Sequence, residues 1–562
     1  MKMTNQNHTD TRHVILFLLI LSAGTFLRIW NLEQSSLWVD EVNAAYAGRA
    51  WAERGDFSLP SGYNYGRAPV YSVLTGLSIR AFGFSEMSAR LPAAVSGLIS
   101  MILVYGLARM LFTPGVALLA AFLTAFSHFE IGWSRTARMY TLLQAFSLAA
   151  MMTFVKAFQS ADSVKWPRPG PERVSWRRSA GVLWRTGHGF LLWFGAGVFL
   201  CIIAALYVHF VAFLLLGGIY LYLWSMTAVR LFEPGPRRFL NFYSIMAASF
   251  TLTGAVLFVF SPAVHHLVTY FLDYIPAWAE GDVTARNRLL HFEFMISTYR
   301  FPIGVFFFIG AIQIVLRFMR KALLPLLTLA WIVFFFAFIS DYRVPAYFFN
   351  VYPVFLIVAA FGMYNLVLSE KSELNTSPQR FPGVLRKWVP KMVVPMLGLL
   401  IVISPWFRIS LHIPFQGDGV TNMAVTPAEW REAGQLVARE RESGDVVLSS
   451  LSQTMLFYGI PSDYSLNWSA LDLSKFRDFR NDRDQWIDVY SGIPCVDSME
   501  MLGRIFGEYR RGWLIVSQYH LNHPEYIPPE VRHFILENLN PAFETERKTV
   551  LVFNWIRNGD NH

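Results

Sequence analysis

Residues 14–41 read VILFLLILSAGTFLRIW-NLEQS-SLWVDE, an apolar segment followed by two adjacent carboxylates. The apolar part, Val14 to Trp30, is long enough to cross a bilayer as a helix. Asp40 and Glu41 follow it closely. Charged residues near the hydrocarbon are energetically costly, so those that occur there often have a function. Two interpretations are open at this point. The pair is either the first turn of a solvated helix or a chemical group held at the membrane surface.

The composition indicates a polytopic membrane protein. The 562 residues are 54% hydrophobic and 15% charged, whereas soluble chains are usually about 25% charged. The net charge of +9 does not indicate nucleic-acid binding, because the basic residues cluster in short loops between apolar stretches, where they set orientation. Cys201 lies in an apolar stretch and Cys495 in the polar tail, so neither a disulfide nor a cysteine metal site is predicted.

We predict about eleven transmembrane helices from length, apolar content and loop charge. Arginine and lysine concentrate in alternate loops, as in 165–185 and 371–391, which places the N-terminus in the cytoplasm of a multi-pass plasma (inner) membrane protein and Asp40 outside. The segment Ala68 to Phe84 is predicted as an interfacial helix, since counting it as a span would invert every later loop. The predicted spans are 14–30, 91–110, 116–133, 139–157, 189–207, 210–226, 243–261, 302–318, 323–340, 347–367 and 392–408.

The chain changes character towards its end. We predict a transmembrane module over residues 1–410 and a soluble extracytoplasmic α/β domain over residues 411–562, with strands near 446–448, 513–516 and 549–553. No strand in this part is followed by a glycine-rich phosphate loop.

Carboxylates and arginines from separate loops are assigned to the same outer face. Guanidinium groups bind phosphate bidentately, and a carboxylate can act as a general base on a hydroxyl. For any one arginine, extension of the side chain to the interface is the alternative explanation. The topology permits these residues to converge but does not show it. The candidates are Asp40, Glu41, Tyr65, Arg67, Glu130, Arg135, Arg138, Tyr140, His291, Arg343 and Tyr347.

Several short motifs occur in an order that resembles the GT-C superfamily of membrane glycosyltransferases. The most similar members are the protein O-mannosyltransferases and lipid A aminoarabinose transferases, a glycosyltransferase family 39-like group. The resemblance is good over about residues 12–160, patchy to about 370 and weak beyond. The motifs are Trp38-Val39-Asp40-Glu41, Gly66-Arg67-Ala68-Pro69-Val70-Tyr71, Ser88-Ala89-Arg90-Leu91-Pro92, Ala137-Arg138-Met139-Tyr140 and Tyr347-Phe348-Phe349-Asn350-Val351-Tyr352-Pro353.

This resemblance implies an α-helical polytopic GT-C-like fold and an inverting transfer of a sugar from a polyprenyl-phosphate donor to an acceptor hydroxyl. Asp40 would be the catalytic base, with Glu41 in support. Arg67 and Arg138 would contact the donor phosphate, and Arg343 and Tyr347 would be further donor contacts. Tyr65, Glu130, Arg135, Tyr140 and His291 are the remaining expected substrate contacts.

The sequence departs from the resemblance at Gly66, where the lipid A transferases have an acidic residue. No resident metal is therefore predicted, although a divalent cation is left open. The acceptor is also left open among protein, lipid and glycan hydroxyls. Two alternatives from other classes are a multispanning lipid or glycan transporter (flippase), which should show ionisable residues near the bilayer midplane and matching halves, and a non-catalytic envelope assembly factor. The first is disfavoured because the charges gather at one face and no two halves match.

Overall fold

The computed structural model describes residues 2–162, 176–231, 242–262, 265, 301–340, 345–368 and 429–557. These residues form two compact units. The helical unit comprises residues 2–28, 94–134 and the described residues from 139 to 368. The mixed unit comprises Ile29–Ala93, Arg135–Arg138 and residues 429–557. The predicted span 392–408 and the predicted domain boundary near residue 410 lie outside the described residues.

Helices dominate both units. In chain order they are α1 Lys2–Ile29, α2 Val39–Arg54, α3 Pro69–Phe82, α4 Glu86–Leu111, α5 Pro114–Phe126, α6 His128–Ser134, α7 Tyr140–Asp162, α8 Trp176–Tyr207, α9 Leu214–Leu231, α10 Phe242–Phe260, α11 Phe301–Leu316, α12 Arg320–Phe338, α13 Pro345–Phe348, α14 Tyr352–Met363, α15 Trp430–Glu440, α16 Ser452–Phe457, α17 Trp468–Phe476, α18 Met499–Glu508, α19 Gln518–Asn522 and α20 Pro529–Asn538. A 3₁₀ turn, Phe210–Phe213, leads into α9, and a π-helical turn, Tyr364–Leu368, extends α14.

Seven helices in the described part of the chain are long and apolar enough to cross a membrane, and the bent pair α5–α6 adds an eighth span if it is counted as one. Two shorter apolar helices, Ile303–Leu316 and Tyr352–Leu366, complete the set, so every predicted range up to residue 367 is matched by an apolar helix. The protein is an integral membrane protein. The segment predicted as an interfacial helix forms α3, which has only 14 residues.

One predicted span is broken. The range 116–133 was expected as a single helix, but α5 and α6 meet at Ser127 with a bend of 59°. Ser127 has an extended backbone (φ −65°, ψ 123°), and its hydroxyl accepts the N–H of Glu130 at 3.4 Å. This is the geometry of a helix N-cap, so the chain starts a new helix at His128.

Close backbone contacts in the helical unit depend on small residues. At the crossing of α11 and α14, a Cβ atom on Gly310 would lie 2.2 Å from the carbonyl oxygen of Val358. A Cβ atom on Gly362 would lie 2.1 Å from the carbonyl oxygen of Phe306. Glycine at both positions lets the two backbones approach, as is common between helices in membranes.

The mixed unit contains a five-stranded sheet of order β2-β1-β3-β5-β4. The strands are β1 Val446–Ser449, β2 Tyr464–Ser465, β3 Arg511–Ser517, β4 Asn540–Glu544 and β5 Val550–Ile556. β1 pairs in parallel with β2 and β3, whereas β5 pairs antiparallel with β3 and β4. The three strands expected from the sequence are β1, β3 and β5, and the expected fold class, a polytopic helical protein with a small α/β domain, is confirmed.

Both faces of this sheet are covered. Along β3, Leu514 and Val516 point into one apolar cluster and Trp513 and Ile515 into the other, as the twofold periodicity of a strand requires. Trp430, the first residue of α15, is 1% exposed and belongs to the second cluster. The start of α15 is therefore fixed firmly to the sheet.

Candidate active site

The acidic pair lies in the first turn of α2, with Trp38 as its N-cap. Carboxylates are favoured there because the helix dipole places partial positive charge at the N-terminus. Glu41 also accepts the backbone N–H of Trp38 at 3.3 Å, which closes a capping interaction. Glu41 therefore has the position and the contact expected of a residue in the first turn of a helix. The two carboxylates differ in their exposure and in their other partners.

Glu41 is buried and fully engaged. The residue is 2% exposed, and its two carboxylate oxygens accept hydrogen bonds of 2.8 Å from Nε and Nη2 of Arg90. Oε1 also accepts the backbone N–H of Ala137 at 2.7 Å. A bidentate pair of this kind is strong and geometrically specific. Glu41 therefore joins α2 to α4 and to the turn before α7, and its oxygens are committed to that task.

Arg90 is the centre of this network. Besides Glu41, its guanidinium donates to the backbone carbonyls of Leu32 at 3.0 Å, Ser35 at 2.8 Å and Ser36 at 3.1 Å. Sequence reasoning did not select Arg90 as a site residue. The available signals were a charge immediately before the predicted span 91–110 and its place in the motif Ser88-Ala89-Arg90-Leu91-Pro92, and neither shows what the guanidinium binds.

Asp40 is the accessible member of the pair. Its side chain is 29% exposed, and Oδ2 lies 3.2 Å from Nη2 of Arg138, whose own side chain is 6% exposed. Arg138 Nη1 donates to the hydroxyl of Tyr65 at 3.0 Å, and the guanidinium lies 6.0 Å from the ring centre of Trp38. The structure therefore brings together three predicted site residues, Asp40, Tyr65 and Arg138.

Arg67 belongs to the same cluster. Its side chain is exposed, and it lies close enough to Asp40, Arg138 and Tyr490 for their charges to interact. The next residue, Ala68, has a left-handed backbone conformation (φ 51°, ψ 58°), which is unfavourable for any residue with a Cβ atom. This tight turn ends the loop and starts α3 immediately after Arg67.

Tyr490 comes from the C-terminal part of the mixed unit, between α17 and α18. Asp488 accepts the backbone N–H of Tyr490 at 2.8 Å and so shapes the turn that presents the ring. The ring packs against the cluster that contains Leu37 and Tyr65. Burial, with the negative charge of Asp40 nearby, raises the pKa of Tyr490 above its ordinary value. Tyr490 is not among the residues predicted from the sequence, because nothing around it in the sequence predicts contact with Tyr65 or Arg67, 425 and 423 positions earlier.

Arg135 has a different environment from Arg138. Its guanidinium donates to the backbone carbonyls of Trp30 at 2.5 Å and Asn31 at 2.7 Å. These groups follow the end of α1, where a cation is favoured by the helix dipole. Arg135 therefore binds the carbonyl groups that follow the C-terminal end of α1.

Three other candidates lie in the helical unit. Glu130 is completely buried and accepts a hydrogen bond of 3.0 Å from Gln144. The ring of Tyr140 lies 5.6 Å from that of His209, and the ring of Tyr347 lies 5.1 Å from the same histidine. Tyr140, His209 and Tyr347 therefore form a local aromatic cluster within the unit.

Arg343 and His291 lie outside the described residues. Within the described ranges, no group of three or more His, Cys, Asp or Glu side chains is arranged to hold a metal ion.

Comparison with known proteins gives a partial family match and a match of fold. Residues 66–266 match the family described as dolichyl-phosphate-mannose-protein mannosyltransferase. The whole chain resembles the crystal structure of ArnT from Cupriavidus metallidurans bound to undecaprenyl phosphate, with a TM-score of 0.54 and 15% identity over 96% of this chain and 97% of that one. This chain therefore has a GT-C-like fold.

Two further proteins match this chain, one by structure and one by sequence. The apo oligosaccharyltransferase of Archaeoglobus fulgidus has a TM-score of 0.52 and 13% identity over 96% of this chain and 74% of that one. The Bacillus subtilis protein YkcB, whose name gives it provisionally as a mannosyltransferase, is 29% identical over 159 residues. That alignment covers 27% of this chain and 22% of YkcB, so this chain spans about a fifth of the relative it matches.

The matched family region contains some of the candidate site residues and not others. Residues 66–266 contain Arg67, Arg90 and Arg138, but not Asp40 or Glu41. The three arginines therefore lie in the family region, and the acidic pair is joined to it by a buried contact, Glu41 to Arg90, and a partly exposed one, Asp40 to Arg138. The arrangement offers one partly exposed carboxylate next to two guanidinium groups. Such a set can accept a proton and bind an anion at the same place.

Proposed function

We propose that the protein is a glycosyltransferase that moves a sugar from a polyprenyl-phosphate donor to an acceptor hydroxyl, with inversion, at the extracytoplasmic face of the plasma membrane. The observation that carries this proposal is the difference between the two carboxylates: Glu41 is neutralised by Arg90, whereas Asp40 stays accessible beside Arg138. The GT-C fold and the family match, whose description names a dolichyl-phosphate-linked mannose, support the choice of donor.

The reaction is a single displacement at the anomeric carbon. The Asp40 carboxylate takes the proton of the acceptor hydroxyl as that oxygen bonds to the anomeric carbon from the face opposite the phosphate. The bond between the anomeric carbon and the phosphate oxygen breaks, and the electron pair leaves with the polyprenyl phosphate. Attack from the opposite face inverts the anomeric configuration.

Negative charge grows on the phosphate as the bond breaks, and cations placed there stabilise the transition state. Arg138 and Arg67 are the proposed phosphate ligands. Nη2 of Arg138 contacts Asp40, so the same guanidinium would bind both the base and the leaving group. That sharing would fix the distance between the two reacting ends of the substrates.

Further residues are proposed for the site. Arg343 and Tyr347 are proposed donor contacts, and Tyr65 is proposed to support Arg138 through its hydroxyl. Glu130, Tyr140, Arg135 and His291 stay predicted substrate contacts. The proposed partners are the lipid-linked donor, the surrounding membrane lipids and a protein, lipid or glycan hydroxyl.

The proposal is tested by mass spectrometry of the products formed by the purified protein in liposomes. Polyprenyl-phosphate sugars are supplied with peptide, lipid and glycan acceptors. We expect one acceptor to gain the mass of the sugar while free polyprenyl phosphate appears in equal amount. Movement of an intact lipid-linked sugar between leaflets, without cleavage, would indicate a flippase. No conversion of any donor by a folded protein would favour an assembly factor.

A further inference from the structure

The short segment before α2, residues 32–38, is held on two sides. The guanidinium of Arg90 donates hydrogen bonds to the carbonyls of Leu32, Ser35 and Ser36. Three other polar groups of the segment, on Glu33, Ser36 and Leu37, bind residues from the C-terminal part of the mixed unit. The Leu37 N–H donates to the hydroxyl oxygen of Tyr458 at 2.7 Å, and Leu37 itself is fully buried.

Arg431 makes the second contact to this segment. Its backbone N–H donates to Ser36 Oγ at 3.2 Å, and its guanidinium donates to the Glu33 carbonyl at 2.8 Å. The same guanidinium forms an ion pair with Glu86. Glu86 is in the first turn of α4, one turn before Arg90, so one helix end anchors both sets of contacts.

Tyr458 and Arg431 are close to each other, and both are supported by the sheet. The Ser36 hydroxyl also interacts with the Tyr458 hydroxyl, which connects the two contacts. The guanidinium of Arg431 lies 5.8 Å from the ring centre of Tyr458. Arg431 follows the buried Trp430 in α15, and Tyr458 follows α16, whose Met455 packs in the same sheet cluster. The sheet thus determines where both side chains point.

A third contact reaches α2 directly. The ring of Phe457 lies 4.8 Å from that of Phe84 and 6.4 Å from that of Tyr46, a residue of α2. The segment before α2 is therefore fixed by hydrogen bonds, and the second turn of α2 is fixed by aromatic packing. Tyr458, Arg431 and Phe457, which make these contacts, all come from the sheet region.

We infer that Tyr458 and Arg431 are positioning residues, through which the C-terminal sheet region holds the segment before α2 and so places Asp40 beside Arg138. The inference rests on the proposed function for its kinetic consequence. It assigns a catalytic purpose to the C-terminal region: this region completes the site in cis. Neither residue touches the reacting atoms. Their effect passes through Ser36 and Leu37 to the first turn of α2.

The test uses the full-length protein with Tyr458→Phe, which removes only the hydroxyl and keeps the ring. We expect hydrogen exchange in a peptide covering Leu37 to accelerate at least about tenfold, while the β3 peptide 511–517 is unchanged. We expect kcat to fall about tenfold with the donor KM within about twofold, because misplacement of a catalytic group lowers the rate more than binding. Tyr464→Phe is the matched control, since its hydroxyl interacts with Tyr509 inside the sheet region.

Ser36→Ala provides a second route to the same contact from the other side, and it decides the question if Tyr458→Phe does not fold. We expect it to accelerate exchange at Leu37 and to lower kcat by about threefold, because one of the two contacts remains. Unchanged exchange at Leu37, or faster exchange with wild-type kcat, would overturn the inference. Wild-type turnover in Asp40→Asn would instead reject the proposed base, and the exchange result at Leu37 would stand apart from it.

Discussion

The buried pair of Glu41 and Arg90 leads to a quantitative prediction, because α2 carries a second Arg–Glu pair that differs mainly in exposure. Glu41 and Arg90 meet at 2.8 Å with side chains 3% and 4% exposed. Arg49 and Glu53 meet at 2.7 Å with side chains 45% and 48% exposed. The residue types and shortest distances are matched, so a difference in energy reports burial together with the second hydrogen bond of the buried pair.

Removing one member of a buried pair leaves a charge without compensation and typically destabilises a protein by about 3–5 kcal/mol. An exposed pair contributes about 0–1 kcal/mol. We therefore expect Arg90→Gln or Glu41→Gln each to lower the free energy of unfolding of α2 by about 3–5 kcal/mol. Arg90→Gln should lie at the upper end, because it also removes the donors to three backbone carbonyls. Glu53→Gln and Arg49→Gln should change it by less than about 1 kcal/mol.

The assay is hydrogen exchange of α2 peptides across a guanidinium series in detergent, which gives the local free energy of opening. Both double variants complete the two mutant cycles. We expect a coupling energy of at least about 2 kcal/mol for Glu41 with Arg90, and below about 0.5 kcal/mol for Glu53 with Arg49. Equal coupling energies in the two cycles would refute the reasoning that burial makes Glu41 a structural residue.

Two further predictions concern the donor and the sheet region. Arg138→Lys keeps one positive charge but loses the forked geometry, so we expect the donor KM to rise about tenfold or more in steady-state kinetics; an unchanged KM would remove Arg138 from the phosphate site. Burial, together with nearby His523, lowers the pKa of His520 to about 3. As the pH falls through 6.5, the unfolded chain takes up a proton that the folded chain does not, and stability should fall by about 1.6 kcal/mol between pH 6.5 and 5. Denaturant titrations of wild type and His520→Gln at both pH values check this, and an equal loss in the variant would contradict it.

The membrane part of the fold could be predicted because it depends on a one-dimensional property. Apolar length and loop charge report directly on spans, so the helices were located to within a few residues. The break at Ser127 could not be predicted in this way. Both halves of the segment are apolar, and the interruption depends on one hydroxyl that caps the second half. Serine is compatible with either outcome in a membrane helix.

The site, like the fold, could be predicted only in part from the sequence. Asp40 and Arg138 could be selected from residue type, order and expected topology, yet their contact joins positions 98 residues apart and no spacing rule gives that distance. Arg90 and Tyr458 were missed for a different reason. Their importance lies in backbone groups that they bind, such as the Ser36 carbonyl and the Leu37 N–H, and those groups are the same in every residue. Such partners become visible only in three dimensions.

The central claim is that Asp40 is the base and that Glu41 is not. The most direct measurement is single-turnover transfer by Asp40→Asn in liposomes, with thermal unfolding of the same sample and with Glu53→Gln as a surface control on the same helix. General-base catalysis contributes about 10²- to 10⁴-fold, so the account predicts a loss of that size with an unchanged unfolding midpoint and a control that matches wild type. Turnover within about twofold of wild type in folded Asp40→Asn would contradict it.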